Sequence, residues 1–168
     1  MELIKVFDTR ADKSKTEIKR TATRAVIQNG NKILLIYVKN NSEYKFPGGG
    51  VEDNETFIEA LKREVLEEAG ATISEVKECI GYTDQFYPDK YIADEVFSMR
   101  SIYYLCDITN SFKAQDLSTY ELELGFIPSW VSIDEAIKTN EERLKLGNNY
   151  HWTERELFML NHLKNLNK

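Results

Sequence analysis

Three glutamates, Glu64, Glu67 and Glu68, lie three and four residues apart in a segment that predicts a helix. Side chains at these spacings share one side of a helix, so the three carboxylates form an exposed acidic cluster. Like charges so placed destabilise an isolated helix by about 0.2–0.5 kcal/mol per pair, which favours a compensating cation. Mg²⁺ prefers carboxylate oxygens, retained waters and phosphates. The alternative is a solvated charged face without a ligand.

The elements around the cluster position it beside a flexible backbone. Thr56 and Glu59 have the spacing of a capping box, and Gly70 suits the position after a helix, so a helix is predicted from 57 to 69. Three consecutive glycines precede it in Phe46-Pro47-Gly48-Gly49-Gly50, where glycine permits positive φ and close approach of a ligand.

This loop and helix together resemble the Nudix box, the signature of Nudix (MutT-like) hydrolases. Val65 fills the first aliphatic position of the box, and Ala71 is smaller than usual at the last one. All seven fixed positions of the signature are present: Gly49, Glu55, Arg63, Glu64, Glu67, Glu68 and Gly70.

The resemblance implies roles for these residues. Glu64, Glu67 and Glu68 would bind Mg²⁺ or Mn²⁺, with a main-chain carbonyl of Gly48 or Gly49 as a further ligand. Four residues would be catalytic, and of these Glu67 and Glu68 would act at the reaction centre. Arg63 and Glu55 would orient it, the alternative being an ion pair that only joins loop to helix.

The general base is left open by the sequence. Glu67 or Glu68 could serve if it is not committed to metal, and in this family the base can also come from a later loop. Glu121 and Glu123 are the candidates there, with an exposed strand edge as the alternative. His151 and His162 are assigned no role.

The resemblance implies a hydrolase with a nucleotide-type small-molecule substrate. Two substrates remain open: a nucleoside diphosphate linked to another moiety, such as ADP-ribose, or a nucleoside triphosphate that loses pyrophosphate. Pro88, 17 residues beyond Ala71, is similarly placed to a proline of the ADP-ribose-cleaving subgroup. A third alternative is a module that senses a nucleotide without cleaving it, against which the complete glutamate set argues.

Aromatic residues near the expected site could stack on a base, although core packing is the alternative for most of them. Phe46 and Tyr87 are the candidates for substrate binding. The other aromatic residues in this part of the chain are Tyr82, Phe86 and Tyr91.

Composition sets broader limits. The chain has 168 residues, 42% hydrophobic and 30% charged, which is typical of a globular protein, and its net charge of −6 disfavours polymeric nucleic acid as a partner. No segment predicts a signal peptide or a membrane span. Cys79 and Cys106 lack metal-ligand spacing and are expected to be reduced, buried thiols in the cytoplasm. The resemblance also allows a homodimer.

The whole chain, residues 1–168, is interpreted as one domain with a surface connection over residues 8–19 and the Nudix box over 49–71. A hairpin around Asn29-Gly30 is followed by the central helix, strands over 73–87 and 95–107, and a strand within 122–131. Ser132 with Glu135 caps a short helix, and Thr153 with Glu156 opens a terminal one. This order predicts an α+β fold, a mixed β-sheet sandwiched between helices, as in the α/β/α sandwich of Nudix proteins.

Overall fold

The computed structural model describes residues 1–9, 16–88, 95–147 and 150–166. The strands are β1 (Leu3–Asp8), β2 (Thr16–Asn29), β3 (Lys32–Val38), β4 (Glu43–Lys45), β5 (Ala71–Pro88), β6 (Glu95–Phe112) and β7 (Phe126–Ser132). The helices are α1 (Phe57–Ala69), α2 (Thr119–Leu124), α3 (Ile133–Lys145) and α4 (His151–Leu166). Among the described residues, no helix is long and apolar enough to cross a membrane.

The strands form one mixed sheet in the order β1-β5-β6-β2-β3-β4, with β7 paired to β3. The pairs β1–β5 and β2–β6 are parallel, and the others are antiparallel. The predicted hairpin is confirmed, since Asn29 of β2 pairs with Lys32 of β3 across the turn. The long β2 reaches from this hairpin to the glycine loop, where Ala22 forms a bridge with Gly50.

Alternate side chains of β2 and β3 supply two cores, one on each face of the sheet, because successive residues of a strand point to opposite sides. Ala25, Ile27 and Leu34 pack with Leu61 and Val65 of α1 on one face. On the other face, the strand residues Val26, Ile33 and Leu35 pack against apolar residues of α3 and α4: Ala136, Ile137, Met159, Leu160 and Leu163. Helices thus cover both faces, which confirms the predicted α/β/α sandwich.

Helix α1 has the predicted bounds. Thr56 and Glu59 form both bonds of the capping box, and Gly70 adopts a left-handed conformation with φ 64° after the last turn. Local signals suffice here because the cap, the apolar stripe and the terminating glycine all agree.

Several predicted boundaries differ from the structure. Strand β2 already begins at Thr16, so the surface connection predicted over 8–19 is too long at its end; residues 16–19 pair with β6 instead. Residues 10–15 of this connection, the 89–90 part of the predicted turn, and Tyr91 lie outside the described residues. Helix α3 runs for 13 residues and is longer than the short helix predicted after Ser132.

The strand predicted over 122–131 is wrong in its first part. Ser118 and Glu121 form a capping box, and Gly125 ends a helical turn with φ 70°, so residues 119–124 are helical. These local cap bonds prevail over the alternating apolar pattern, and the strand starts only at Phe126.

The predicted start of the terminal helix is also wrong. Helix α4 begins at His151, two residues before the predicted cap Thr153, which is fully buried inside the helix. Glu156 does not reach back to a cap, because its carboxylate accepts hydrogen bonds from the Phe46 backbone N–H and from Arg155.

Candidate active site

Three carboxylates from two distant parts of the chain meet beside the glycine loop. Ligand oxygens of Glu64, Glu68 and Glu121 all lie within 4.8 Å of one another. They line a cavity of about 300 Å³, which we call the pocket. Its acidic side consists of these three glutamates, and its basic side consists of Arg24, Lys45 and Arg155.

Glu68 is buried, which corrects the prediction of a fully exposed acidic cluster. Its side chain is 2% exposed, because the loop after β4 covers this part of α1. One carboxylate oxygen binds Lys45 Nζ at 2.5 Å, and the other accepts the Gly48 N–H at 2.9 Å. Burial raises the pKa of Glu68, and the nearby Lys45 charge opposes that rise.

Arg63 joins the glycine loop to the acidic helix. Its guanidinium binds both oxygens of Glu55, at 2.7 and 2.9 Å, and donates to the Gly50 carbonyl at 3.1 Å. The same group reaches Glu64 Oε1 at 2.8 Å and Glu67 Oε2 at 3.1 Å. The hydrogen bonds from Arg63 lower the pKa of Glu55 to about 2. This geometry suits the predicted orienting roles of Arg63 and Glu55.

Glu67 differs from its two neighbours in position. Its side chain is 36% exposed, and it neither lines the pocket nor belongs to the group of three converging carboxylates. Burial raises the pKa of Glu67, while the charge of Arg63 lowers it. Its assignment as a metal ligand and catalytic residue stays a prediction.

The glycine loop lies so close to its neighbours that side chains would not fit. Gly48 has φ 135°, and a Cβ there would collide with the Thr23 carbonyl; a Cβ at Gly49 would collide with the Glu64 carboxylate. The Gly48 carbonyl accepts a hydrogen bond from Arg24, and the Gly49 carbonyl accepts one from the Thr23 N–H at 2.9 Å. A carbonyl has a second lone pair, so metal ligation by either stays a prediction.

The two candidates for a later base lie in different environments. Glu121 lines the pocket and accepts the Ser118 N–H at 2.8 Å as part of the α2 capping box. Glu123 is exposed and is absent from the pocket lining. The structure therefore brings Glu121 to the box glutamates and leaves Glu123 away from them.

The basic side of the pocket holds cations that the sequence prediction missed. Arg24 on β2 is 7% exposed, and Arg155 on α4 is 3% exposed. Arg155 binds Glu156 and donates to Gln85 Oε1 at 2.7 Å, whereas Arg24 donates only to the Gly48 carbonyl among the described residues. Burial lowers the pKa of Arg24, and the charge of Arg155 lowers it further.

A sequence signal exists for both arginines. Arg24 directly precedes the apolar run Ala25-Val26-Ile27. For Arg155 the signal is its partner Glu156, which lies one turn before Leu160 on the buried side of α4. Charged residues at core positions are uncommon unless they are paired or functional.

Aromatic residues complete the wall of the pocket. Tyr87 lines it, and its ring stacks on His151 with centroids 3.8 Å apart. Trp152 also lines it, stacks on Tyr150 at 4.3 Å, and donates its indole N–H to the buried Glu43 at 2.9 Å. His162 lies elsewhere, against Phe158.

The prediction that Phe46 binds substrate is wrong. Its ring is fully buried in the core and contacts Tyr103 edge to face, with centroids 5.6 Å apart. The chain turns this side chain into the core, while Lys45 before it and the glycines after it line the pocket. Tyr87 as a substrate contact stays a prediction.

Both cysteines are free. Cys106 is buried, as predicted, and burial raises its pKa to about 12. Cys79 is only half-buried, which corrects the expectation for that residue, because its part of β5 lies near the sheet surface.

The carboxylates fit a hard divalent cation. Three oxygen donors converge within 4.8 Å, and the missing side chain at Gly49 lets the Glu64 carboxylate lie directly against the loop. Such donors are those that Mg²⁺ prefers. Helices on both faces of a mixed sheet, with an acidic cluster beside a glycine loop, are the features that the Nudix resemblance implies.

Comparison with known proteins identifies the family. The profile of the NUDIX domain matches residues 18–153, and the chain belongs to this family. An ADP-ribose pyrophosphatase of Methanocaldococcus jannaschii is 39% identical over 98 residues, which are 56% of this chain and 55% of that protein. The chain thus matches just over half the length of this relative.

Two further similarities are more limited. An 8-oxo-dGTP diphosphatase of Buchnera aphidicola is 41% identical over 49 residues, covering 29% of this chain and 39% of that protein. The structure of a NUDIX hydrolase from Nitrosomonas europaea superposes with a TM-score of 0.55 and 22% identity, covering 79% of this chain and 93% of the other. The latter similarity supports the fold.

Proposed function

We propose that the protein is a Mg²⁺- or Mn²⁺-dependent pyrophosphohydrolase that acts on a nucleoside diphosphate linked to another moiety, such as ADP-ribose. The observation that carries the proposal is the convergence of Glu64, Glu68 and Glu121 within 4.8 Å in a pocket that also has a basic side. Membership of the NUDIX family and the similarity to an ADP-ribose pyrophosphatase support it.

The cation would be held by Glu64 and Glu68, with Glu67 and the Gly48 or Gly49 carbonyl as the further candidates, while Glu121 lies within 4.8 Å of both and is left for proton transfer. When bound, a divalent cation supplies positive charge that neutralises phosphate oxygens. Arg63 keeps Glu64 in place through its 2.8 Å ion pair, while its bonds to Glu55 and Gly50 fix the loop. Orientation of metal-binding side chains by such outer contacts is common.

Glu121 is the best-placed general base. Glu64 pairs with Arg63 and Glu68 with Lys45, whereas Glu121 has no cationic partner among the described residues. A general base must lie within hydrogen-bond reach of the attacking water, and Glu121 lines the pocket beside the two other carboxylates. In the proposed reaction, water forms a bond to one phosphorus and gives a proton to Glu121. The bond from that phosphorus to the bridging oxygen breaks, and the leaving phosphate keeps the electron pair.

The proposal also covers the type of substrate, the cellular location and the oligomeric state. A small-molecule substrate suits a pocket of about 300 Å³. A cytoplasmic location and a homodimer stay predictions from the sequence and the resemblance.

The test is product release from a panel containing ADP-ribose, nucleoside triphosphates, dinucleoside polyphosphates and nucleotide sugars, each with Mg²⁺, with Mn²⁺ and with chelator. Metal-dependent cleavage of ADP-ribose or another nucleoside diphosphate conjugate is expected. Release of pyrophosphate from triphosphates alone would favour the alternative suggested by the Buchnera aphidicola relative. Binding without cleavage across the panel would contradict the proposal and indicate a nucleotide-sensing module.

A further inference from the structure

Arg24 is the cation of the basic side that lacks a carboxylate partner among the described residues. Lys45 lies 2.5 Å from Glu68 and 4.4 Å from the Phe126 ring centre, and Arg155 is paired with Glu156. Arg24 is 7% exposed, and its one hydrogen bond within the described chain joins Nη1 to the Gly48 carbonyl. The charges of Glu156 and Glu68 act on Arg24 without a direct ion pair, and burial still lowers its pKa. Burial of a charge without a direct counter-charge is costly, so a residue in this state is expected to serve a ligand.

The unused donors of Arg24 have a shape that identifies the ligand. Its Nε is buried without a hydrogen-bond partner, and Nη2 binds no described residue. The Nε and Nη2 hydrogens lie along one edge of the planar guanidinium, which matches two oxygens of a phosphate group. Arg24 also lines the pocket that contains the three carboxylates.

The fold fixes Arg24 next to the acidic side through a single residue, Gly48. The Gly48 N–H donates to Glu68, and the Gly48 carbonyl accepts from Arg24. A side chain at Gly48 would collide with the backbone of Thr23 and Arg24, so glycine is required for this close approach. A phosphate bound by Arg24 would thus lie next to the proposed cation site.

We infer that Arg24 binds a phosphate group of the substrate and does so without the divalent cation. The identity of the ligand as a pyrophosphate compound rests on the proposed function. Arg24 would therefore contribute affinity and orientation to one phosphate, while the glutamates act on the linkage through the cation.

The experiment measures thermal unfolding with inorganic pyrophosphate in excess chelator at constant ionic strength, for the wild type and Arg24→Met. For the wild type we expect a rise in Tm of roughly 3–6 °C at ten times Kd. In Arg24→Met at the same pyrophosphate concentration this rise should fall below about 2 °C, since a charge-assisted hydrogen bond accounts for roughly a 10- to 100-fold change in affinity. The ligand-free Tm should be unchanged or higher, because an uncompensated buried charge has been removed.

Two more variants serve as controls, one for the loss of any arginine on this strand and one for a failure of Arg24→Met to fold. Arg20→Met changes an exposed arginine on the same strand and should retain the full pyrophosphate effect. Arg24→Lys keeps the charge without the planar edge and should retain part of it even if Arg24→Met fails to fold.

The outcome of this experiment is separate from that of the substrate panel, because no catalysis is measured. A wild type that hydrolyses the panel but shows no metal-free pyrophosphate effect would refute the inference alone. An unchanged pyrophosphate effect in Arg24→Met, or a lower ligand-free Tm in a folded Arg24→Met with no partial effect in Arg24→Lys, would also refute it.

Discussion

The acidic and basic sides of the pocket differ in how their charges are balanced. On the acidic side, Glu64 and Glu68 each have a cationic partner, so the cluster is supported by its own ion pairs. On the basic side, Arg155 is paired within α4, but Arg24 has only a carbonyl partner among the described residues. The protein thus holds two of the three glutamates by its own ion pairs, whereas the counter-charge of Arg24 is assigned to the proposed phosphate ligand.

The largest combined effect on kcat and stability is expected on the acidic side. Glu67→Gln and Glu68→Gln should each lower kcat by roughly 10²–10³-fold if both serve the proposed cation. Only Glu68→Gln should also destabilise the protein, by about 3–5 kcal/mol, because it leaves buried Lys45 without a counter-charge. Kinetics and urea unfolding measure the two effects.

Glu67 is the matched control in this pair, since its side chain is 36% exposed. Full activity in both variants would contradict the metal-site assignment. Equal stability losses would contradict the distinction between a buried and an exposed glutamate.

On the basic side, Arg155→Met should act mainly on stability. The change leaves Glu156, which is fully buried, without its cation, and it removes the bond to Gln85 that joins α4 to β5. The expected loss is about 3–5 kcal/mol. Thermal unfolding of this variant beside Arg24→Met compares the two arginines directly, and a stable Arg155→Met protein would show that the pairing is dispensable.

Arg63→Ala tests how the acidic side is held together. We expect kcat to fall by roughly 10–100-fold, because Glu64 loses its orienting partner. Stability should fall by about 1–3 kcal/mol as the bonds to Glu55 and Gly50 disappear. Arg63→Lys should restore little, since lysine cannot bind Glu55 through two parallel bonds. A folded and fully active Arg63→Ala variant would refute the role.

The smallest expected effect is the acid sensitivity of the Arg63–Glu55 pair. Because the pKa of Glu55 falls from 4.5 to about 2 in the folded protein, its charged form stabilises the fold at pH above about 4.5. That contribution is lost as the pH falls from 4.5 through 2. The stability difference between the wild type and Glu55→Gln should therefore shrink over this window, and a difference independent of pH would contradict the assigned pairing.

The α1 part of the site could be predicted from the sequence because its signals are local. The capping box at Thr56, the apolar stripe and Gly70 lie within one segment, and so do the box residues. The burial of Glu68 could not be predicted, because Lys45 and Gly48, which cover it, belong to a different element.

The rest of the pocket depends on contacts between distant segments. Glu121 reaches the box glutamates from a short helix capped by Ser118, which lies just before the segment where a strand is predicted. Arg155 lines the pocket from α4, where it donates to Gln85 of β5. Such tertiary contacts leave only weak traces in a single sequence, mainly charged residues at apolar positions.

The most direct test of the proposed hydrolytic centre compares Glu121→Gln with Glu123→Gln under Mg²⁺ with the best substrate of the panel. The two glutamates lie two residues apart, but only Glu121 joins Glu64 and Glu68. Glu121→Gln should lower kcat by roughly 10²–10⁴-fold, whereas Glu123→Gln should keep the wild-type kcat. Equal rates in the two variants would contradict a centre formed by these three carboxylates.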